Sequence, residues 1–479
     1  MSLLVIDVGT SSARASVVRP DGTIDAVHQR ATPPDTPFPG LVEFDAAALA
    51  DTVMDLARAA LAEGGPVDAV GVTNQRASTI VWDRKTGEPV APALGWQDLR
   101  TIGMCLELQG EGLRLAPNVS ATKLAALLDG ADPDRTRDLC FGTVDSWVVW
   151  HLTAGNVHLT DLTNAAVTGL TNLAGDGWSP TVLDRLRIPR SMLPEVVDST
   201  GVVAHASALQ GAPPIAGIAG DQQASLIGQS CVRPGLAKAT FGTGGMLDVC
   251  LGDRPTFETR GDGGCFPIVC WRRGDETVWG AEAIMLAAGT NVDWLVDDLG
   301  IIASAAESHE VASRCEDTGG VVYVPALVGL GTPHWDHGAR GTLLGLTRGS
   351  GRPEVVRAVL EGVAHRGADL LEAAEADGGA AIASLRVDGG MSANPTFVQA
   401  LADASQRPVE VSPVTEATTL GAAYLAGMAV GTWSGWDDIA AAWKPSRVVE
   451  PARTLDRERW AEAIRRASGW IPELSALDF

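Results

Sequence analysis

Apolar β-branched runs alternate along the chain with Ala/Leu/Arg-rich stretches, the pattern of α/β domains in which strands feed helices. Residues 3–7 (LLVID) form a short apolar run that breaks at Gly9-Thr10-Ser11-Ser12 and resumes over residues 13–18. That predicts a strand, a tight Gly/Ser/Thr turn and a second strand. Residues 238–250 (KATFGTGGMLDVC) repeat the plan around Gly242-Thr243-Gly244-Gly245. Further on, residues 385–387 predict a strand, Asp388-Gly389-Gly390 a turn, and residues 394–405 a helix. Gly-Thr-Gly turns between strands are common, so either hairpin alone carries little weight. Two of them, each heading an α/β region, predict two similar domains, 1–229 and 230–479. The stretch 436–479, with an amphipathic segment around residues 457–466, reads as a tail packing back rather than a third domain.

Composition narrows the partners. A chain of 479 residues suits two or three domains, each burying its own core. Lys+Arg 36 against Asp+Glu 59 gives a net charge of −23, which argues against a general nucleic-acid binder. It leaves room for a small anionic ligand held by a local cradle of N–H groups and a metal ion. No apolar run is long enough to span a bilayer, and MSLLVIDVGT lacks the basic head of a signal peptide. The seven cysteines are scattered without a CxxC pair, against a zinc ribbon or a thioredoxin-like site. The expectation is a reduced cytoplasmic protein without a membrane or nucleic-acid partner.

A phosphate bound by backbone N–H groups needs Gly where the chain must approach it, with hydroxyl residues alongside. Gly9, Thr10, Ser11 and Ser12 supply both, Arg14 adds charge, and Thr243 and Gly244 can face them from the second half. There is no GxxxxGK[ST], and no GxGxxG follows the first strand, which removes the P-loop and the usual dinucleotide fingerprint. Asp7, ending the first strand, suits hydrated Mg²⁺ and equally suits a turn cap. Asp221 lies where the apolar run PPIAGIAG gives way to a helical pattern. A carboxylate there can accept a proton from a substrate hydroxyl, as phosphoryl transfer requires, or can simply cap the helix. Thr73-Asn74-Gln75-Arg76 after a strand, and Trp96-Gln97-Asp98-Leu99-Arg100, fit either ligand contacts or solvated loops. His334, Asp336 and His337 have no zinc-site spacing and read as a polar turn.

Taken together, these segments resemble the FGGY carbohydrate kinase family, of the actin and heat-shock ATPase superfamily. The most specific piece is residues 341–361, GTLLGLTRGSGRPEVVRAVLE, which is similar to the family's C-terminal signature. VGVTNQRASTIVWD, ALGWQDLRT, GTVDSWVVWHLT and GDQQASLIGQ are most like the glycerol kinase branch. The resemblance implies two actin-like (ribonuclease H-like) α/β domains with an interdomain cleft that takes ATP·Mg²⁺ and a small polyol or sugar. It implies Asp221 as general base, Gln222, Arg76 and Trp96 at the substrate, and Thr10, Ser11 and Arg14, with Thr243, at the phosphates. It puts Asp7 near the metal, and Gly289, Asp293, Gly390 and Asn394 around the adenosine. Homo-oligomers enter by analogy alone.

The substrate pocket departs from that branch. Ala77 stands where a hydroxyl-binding Glu is expected, Asn118 where an aromatic residue is expected, and Met246 where Phe is expected. Asp293 replaces a common Gln, and Thr332-Pro333-His334 is more similar to the xylulokinase branch. The expected activity is therefore ATP-dependent phosphorylation of a primary hydroxyl of a small polyol or sugar, with a ketose kinase as the alternative. A catalytically silent sugar- and ATP-binding sensor is the alternative of another class.

Overall fold

In the computed structural model, which describes residues 1–172, 175 and 177–477, each predicted hairpin seeds a sheet of its own. The first sheet has six strands in the order Thr200–His205, Pro214–Gly220, Ala69–Asn74, Leu3–Val8, Ser12–Val18, Ile24–Ala31. Leu3–Val8 pairs antiparallel with Ser12–Val18 and parallel with Ala69–Asn74, which runs parallel to Pro214–Gly220. The second sheet has seven strands: Phe266–Arg273, Glu276–Met285, Gly245–Gly252, Ala237–Phe241, Leu385–Asp388, Val409–Val411, Arg447–Val449. Ala237–Phe241 again pairs antiparallel with its hairpin partner and parallel with a strand from later in the chain. The two halves thus follow one pairing rule, as the repeated Gly/Thr turns predict.

Continuous apolar strands need cover on both faces, and helices provide it. Over the first sheet, Leu49, Val53, Leu56 and Ala60 of the helix Ala46–Gly64 pack on Leu4, Ile6, Ala13, Val70 and Val72. On the opposite face, Leu3, Val5, Val18, Ala69 and Ala216 meet two helices, Asp221–Gly228 and Ala417–Val430. The second of these comes from the far end of the chain. It is apolar all round because it is enclosed all round. The two helices touch backbone to backbone: a Cβ on Gly228 would lie 1.8 Å from the Ala417 carbonyl oxygen, and one on Gly421 equally close to that of Ala224.

The second sheet is covered by the 27-residue helix Arg352–Gly378, whose Val356, Val359, Leu360 and Val363 join Phe241, Leu247 and Val249 in one core. The amphipathic tail segment forms the helix Arg457–Ala467, capped by Asp456. It lays Trp460, Ala463, Ile464 and Ala467 on Val324, Ala326 and Leu330 of the second half. Among the described residues, no helix is long and apolar enough to cross a membrane. The carboxyl ends of Leu3–Val8, Ala69–Asn74 and Pro214–Gly220 share one edge with the first hairpin turn, where ligands of parallel sheets bind.

Candidate active site

Asp221 is the first residue of the helix Asp221–Gly228, and Gly220 takes the cap position before it. Its side chain does not cap; among the described residues Oδ1 accepts only the neighbouring Gln222 N–H, at 2.8 Å, and lies 3.5 Å from Arg76 Nε. Burial pushes the Asp221 carboxyl above its ordinary range, with the Arg76 guanidinium the main opposing influence. Yet 29% of the side chain is exposed, enough to reach a bound molecule.

Arg76 leaves the strand Ala69–Asn74 and crosses to the second lobe, donating from Nη2 to Glu282 Oε2 at 2.6 Å. Its stem lies over Gly220, where any Cβ would come within 2.7 Å of Arg76 Cγ and Cδ. Glu282 stands opposite Asp248 in register, and burial lifts its carboxyl to about 7 against the pull of Arg76. Lys238, fully buried, completes the cluster: Nζ lies 2.7 Å from Asp248 Oδ2 and donates to Gln222 Oε1 at 2.6 Å. Gln222, expected at the substrate, is thus tied by its oxygen to the second lobe. Sequence reasoning missed Lys238, Asp248 and Glu282. Each is a charged position inside an apolar stretch of its strand, a signal because a buried charge persists only when it is paired.

In the first hairpin, Gly9 N–H donates to the Ser12 carbonyl at 2.9 Å. Thr10 Oγ accepts from Trp96 Nε1 at 3.1 Å, and Ser12 Oγ from Gln29 Nε2 at 3.0 Å. The Ser11 carbonyl is bonded by Thr32 N–H. Arg14 donates to Gln29 and forms an ion pair with Glu416 of the second half, so its charge is engaged. Burial raises the Asp7 carboxyl to about 6; Arg14 pulls it down and Asp221, which follows a strand ending at the same sheet edge, pushes it up. Beside Asp7 in register, the buried Thr73 Oγ has no hydrogen-bond partner among the described residues.

In the second hairpin, Gly242 N–H donates to the Gly244 carbonyl at 2.9 Å and leaves Thr243 exposed. Gly289 packs directly beneath; its N–H reaches the Gly242 carbonyl at 2.8 Å, and a Cβ there would come within 2.6 Å of the same oxygen. Gly390 opens the turn Gly390–Ala393, whose Met391 side chain lies beside Gly289. A Cβ on Gly242 or Gly390 would meet no atom within 4 Å, so both line open space that a nucleotide can fill. Asp293 is exposed at the end of Thr290–Asp293. Asn394 is committed locally: Oδ1 caps the helix Pro395–Ser405 through Phe397 N–H, and Nδ2 donates to Ser308 Oγ at 2.8 Å.

The residues where the chain departs from the glycerol kinase pattern spread around the first lobe's wall and the second hairpin. Ala77, next to Arg76, is buried with φ 58°, and its carbonyl accepts from Ser120 Oγ at 3.0 Å. Asn118 is exposed two residues before Ser120. Met246 is partly exposed on Gly245–Gly252, opposite Thr240 and Ile284. Behind this wall the buried Lys123 donates to the carbonyls of Trp96 and Val119, both at 3.2 Å, and burial lowers its pKa to about 7. Asp336 accepts the Gly338 and Ala339 N–H groups, the polar turn expected there. Among the described residues, no group of three or more His, Cys, Asp or Glu is placed to hold a metal.

Two like-built sheets, each headed by a glycine-threonine hairpin and meeting at buried carboxylates, define an actin-like kinase. Residues 2–228 match the N-terminal domain and residues 237–430 the C-terminal domain of the FGGY family of carbohydrate kinases, and the chain belongs to that family. It is 44% identical over 494 residues to a glycerol kinase of Aromatoleum aromaticum, covering 98% of this chain and 99% of that one. With glycerol kinase 2 of Thermotoga maritima it shares 41% identity over 493 residues, at 98% and 99% coverage. The crystal structure of Plasmodium falciparum glycerol kinase with ADP superposes with a TM-score of 0.91 at 28% identity, covering 97% of this chain and 98% of that one. A xylulose kinase from Lactobacillus acidophilus shares the fold, with a TM-score of 0.83 at 20% identity over 97% of this chain and 96% of that one.

Proposed function

We propose that this kinase transfers the γ-phosphoryl group of ATP to a primary hydroxyl of a small polyol, with glycerol the first candidate. The observation that carries the reading is the placement of Asp221: partly exposed at a helix start, beside Arg76, and at the same carboxyl edge of the first sheet as Asp7. Its raised proton affinity suits a base that takes the hydroxyl proton as the oxygen attacks phosphorus. The relatives named as glycerol kinases support the substrate class. Thr10, Ser11, Ser12 and Arg14 on one side and Thr243 and Gly244 on the other hold the phosphates; Gly289, Asp293, Gly390 and Asn394 surround the adenosine.

Asp7, with the Thr73 hydroxyl beside it, fits one carboxylate contact to a hydrated Mg²⁺, which neutralises phosphate charge when bound. Arg76, Trp96 and Gln222 orient the polyol, and Ala77, Asn118 and Met246 set the room around it. The small Ala77 also favours a longer polyol or a ketose as a second reading, since a carboxylate there would pair with hydroxyls and fill volume. The protein acts in the cytoplasm, as a monomer or a homo-oligomer.

The test is ADP release with glycerol, erythritol, xylitol, xylulose and ribulose, for the parent and for Asp221→Asn. Stimulation by at least one of them, lost in the variant with nucleotide affinity retained, is expected. No stimulation by any of them points to a sensor, and an active variant removes Asp221 as the base.

A further inference from the structure

The strand ends that carry Asp221 and Arg76 are held from behind by one buried polar hub. Gly220 and Asn74 are register partners at the ends of adjacent parallel strands, one residue before Asp221 and two before Arg76. Both are bonded by the short helix Leu162–Ala166, whose cap residue is Asp161. Gly220 N–H donates to Thr163 Oγ at 2.9 Å, and Asn164 Nδ2 and Asn74 Nδ2 each donate to the other residue's side-chain oxygen, at 3.3 and 3.0 Å. Asp161, Thr163, Asn164 and Asn74 are all fully buried.

The proton inventory fixes the direction of each bond. Asp161 Oδ1 receives Thr163 O–H at 2.8 Å, Asn164 N–H at 3.0 Å and Asn164 Nδ2–H at 2.9 Å. Its Oδ2 receives Thr163 N–H at 3.0 Å and Ser199 O–H at 2.7 Å. A hydroxyl has one proton, and Thr163 spends it on the carboxylate, so its oxygen must face Gly220 as an acceptor. The ionised acid therefore orients the hydroxyl, and the hydroxyl fixes the peptide that precedes Asp221. Ser199 also accepts from Arg272 N–H at 3.2 Å, so the same hub reaches the second lobe.

We propose that Thr163 and Asp161 are positioning residues for the phosphoryl transfer. They touch no reactant and act by holding the Gly220 peptide, and with it the Asp221 carboxylate, in line with the attacking hydroxyl. This rests on Asp221 being the base. Displacing a catalytic group by an ångström costs on the order of 100-fold in rate, whereas nucleotide binding on the hairpins does not depend on it.

The experiment measures kcat and KM with glycerol and ATP·Mg²⁺, and ADP affinity by titration, for the parent, Thr163→Val, Thr163→Ser and Asp221→Asn. Thr163→Val keeps the shape and removes the acceptor. Its kcat should fall by about 10- to 100-fold with ADP affinity within about twofold, and Thr163→Ser should recover to within about threefold of the parent. A merely structural role would lower thermal stability in both variants without that split and rescue. If Thr163→Val is not recovered folded, Thr163→Ala is read by the same criterion. A folded Val or Ala variant with parental kcat overturns the proposal while an inactive Asp221→Asn leaves the base reading standing. An active Asp221→Asn overturns both.

Discussion

Arg76 of the first lobe donates to Glu282 of the second at 2.6 Å, while its Nε stays 3.5 Å from Asp221. One guanidinium thus serves two carboxylates, and the shorter tie leads away from the base. Glu282→Gln should free the guanidinium to move toward Asp221, and a carboxylate held by Arg accepts a proton less readily. The expected outcome is a kcat lower by about tenfold near neutral pH, with the acid limb of the kcat/KM profile moved to lower pH. An unmoved acid limb would show that Arg76 does not tune Asp221.

The left-handed backbone at Ala77, φ 58°, is borne by a side chain with nothing to offer a hydroxyl. Ala77→Glu adds a carboxylate next to Arg76 without changing that backbone requirement. Hydrogen bonds to a charged group contribute about 1.5–3 kcal/mol, so KM for glycerol should drop by about tenfold or more. The lost volume should raise KM for xylitol in parallel. Equal KM values for parent and variant with both polyols would place Ala77 outside the pocket.

Lys123 carries a stability prediction with a defined sign. Its folded pKa, about 7, lies below the ordinary 10.5, so the folded protein gives up the proton that the unfolded chain keeps. The penalty is complete below the folded value and fades as pH rises toward the unfolded one, at up to about 1.4 kcal/mol per pH unit. Lys123→Met has no such dependence. Its stability relative to the parent, from urea denaturation, should decline steadily between about pH 7 and about pH 9.5. A constant difference would mean that the ammonium is solvated. The variant also unties the carbonyls of Trp96 and Val119, so a raised KM for the polyol should accompany it.

Gly228 tests the helix contact between the sheets. A Cβ there would meet the Ala417 carbonyl at 1.8 Å, so Gly228→Ala must force two backbones apart and should cost about 3 kcal/mol or more. Gly130, inside the helix Ser120–Ala131, faces open space, and a Cβ there would meet no atom within 4 Å. Gly130→Ala should instead stabilise by about 0.5–1 kcal/mol. Thermal unfolding of the two variants should therefore shift in opposite directions. Similar shifts would mean that the helices yield easily.

Both hairpins were legible because an apolar β-branched run that stops at Gly-Thr and resumes has few other solutions. The family resemblance followed from local segments such as GTLLGLTRGSGRPEVVRAVLE, which survive as continuous text. The partner of the helix Ala417–Val430 was not legible. Uniform apolarity says that a helix is enclosed but not by what, and here the enclosing strands lie at the other end of the chain. Lys238, Asp248 and Glu282 escaped for a related reason: their meaning is in pairing across strands, which no local window displays. Asn394 has a second role that the motif does not display, since its side chain also caps the helix Pro395–Ser405.

The roof over the first sheet has a cost during synthesis. Leu3, Val5 and Ala69 leave the ribosome long before the helix Ala417–Val430 that completes their cover, so nascent chains must carry a partly bare greasy face through most of translation. A polypeptide truncated before that helix would keep part of this face uncovered permanently, and chaperones and proteases would meet it as an unfinished product.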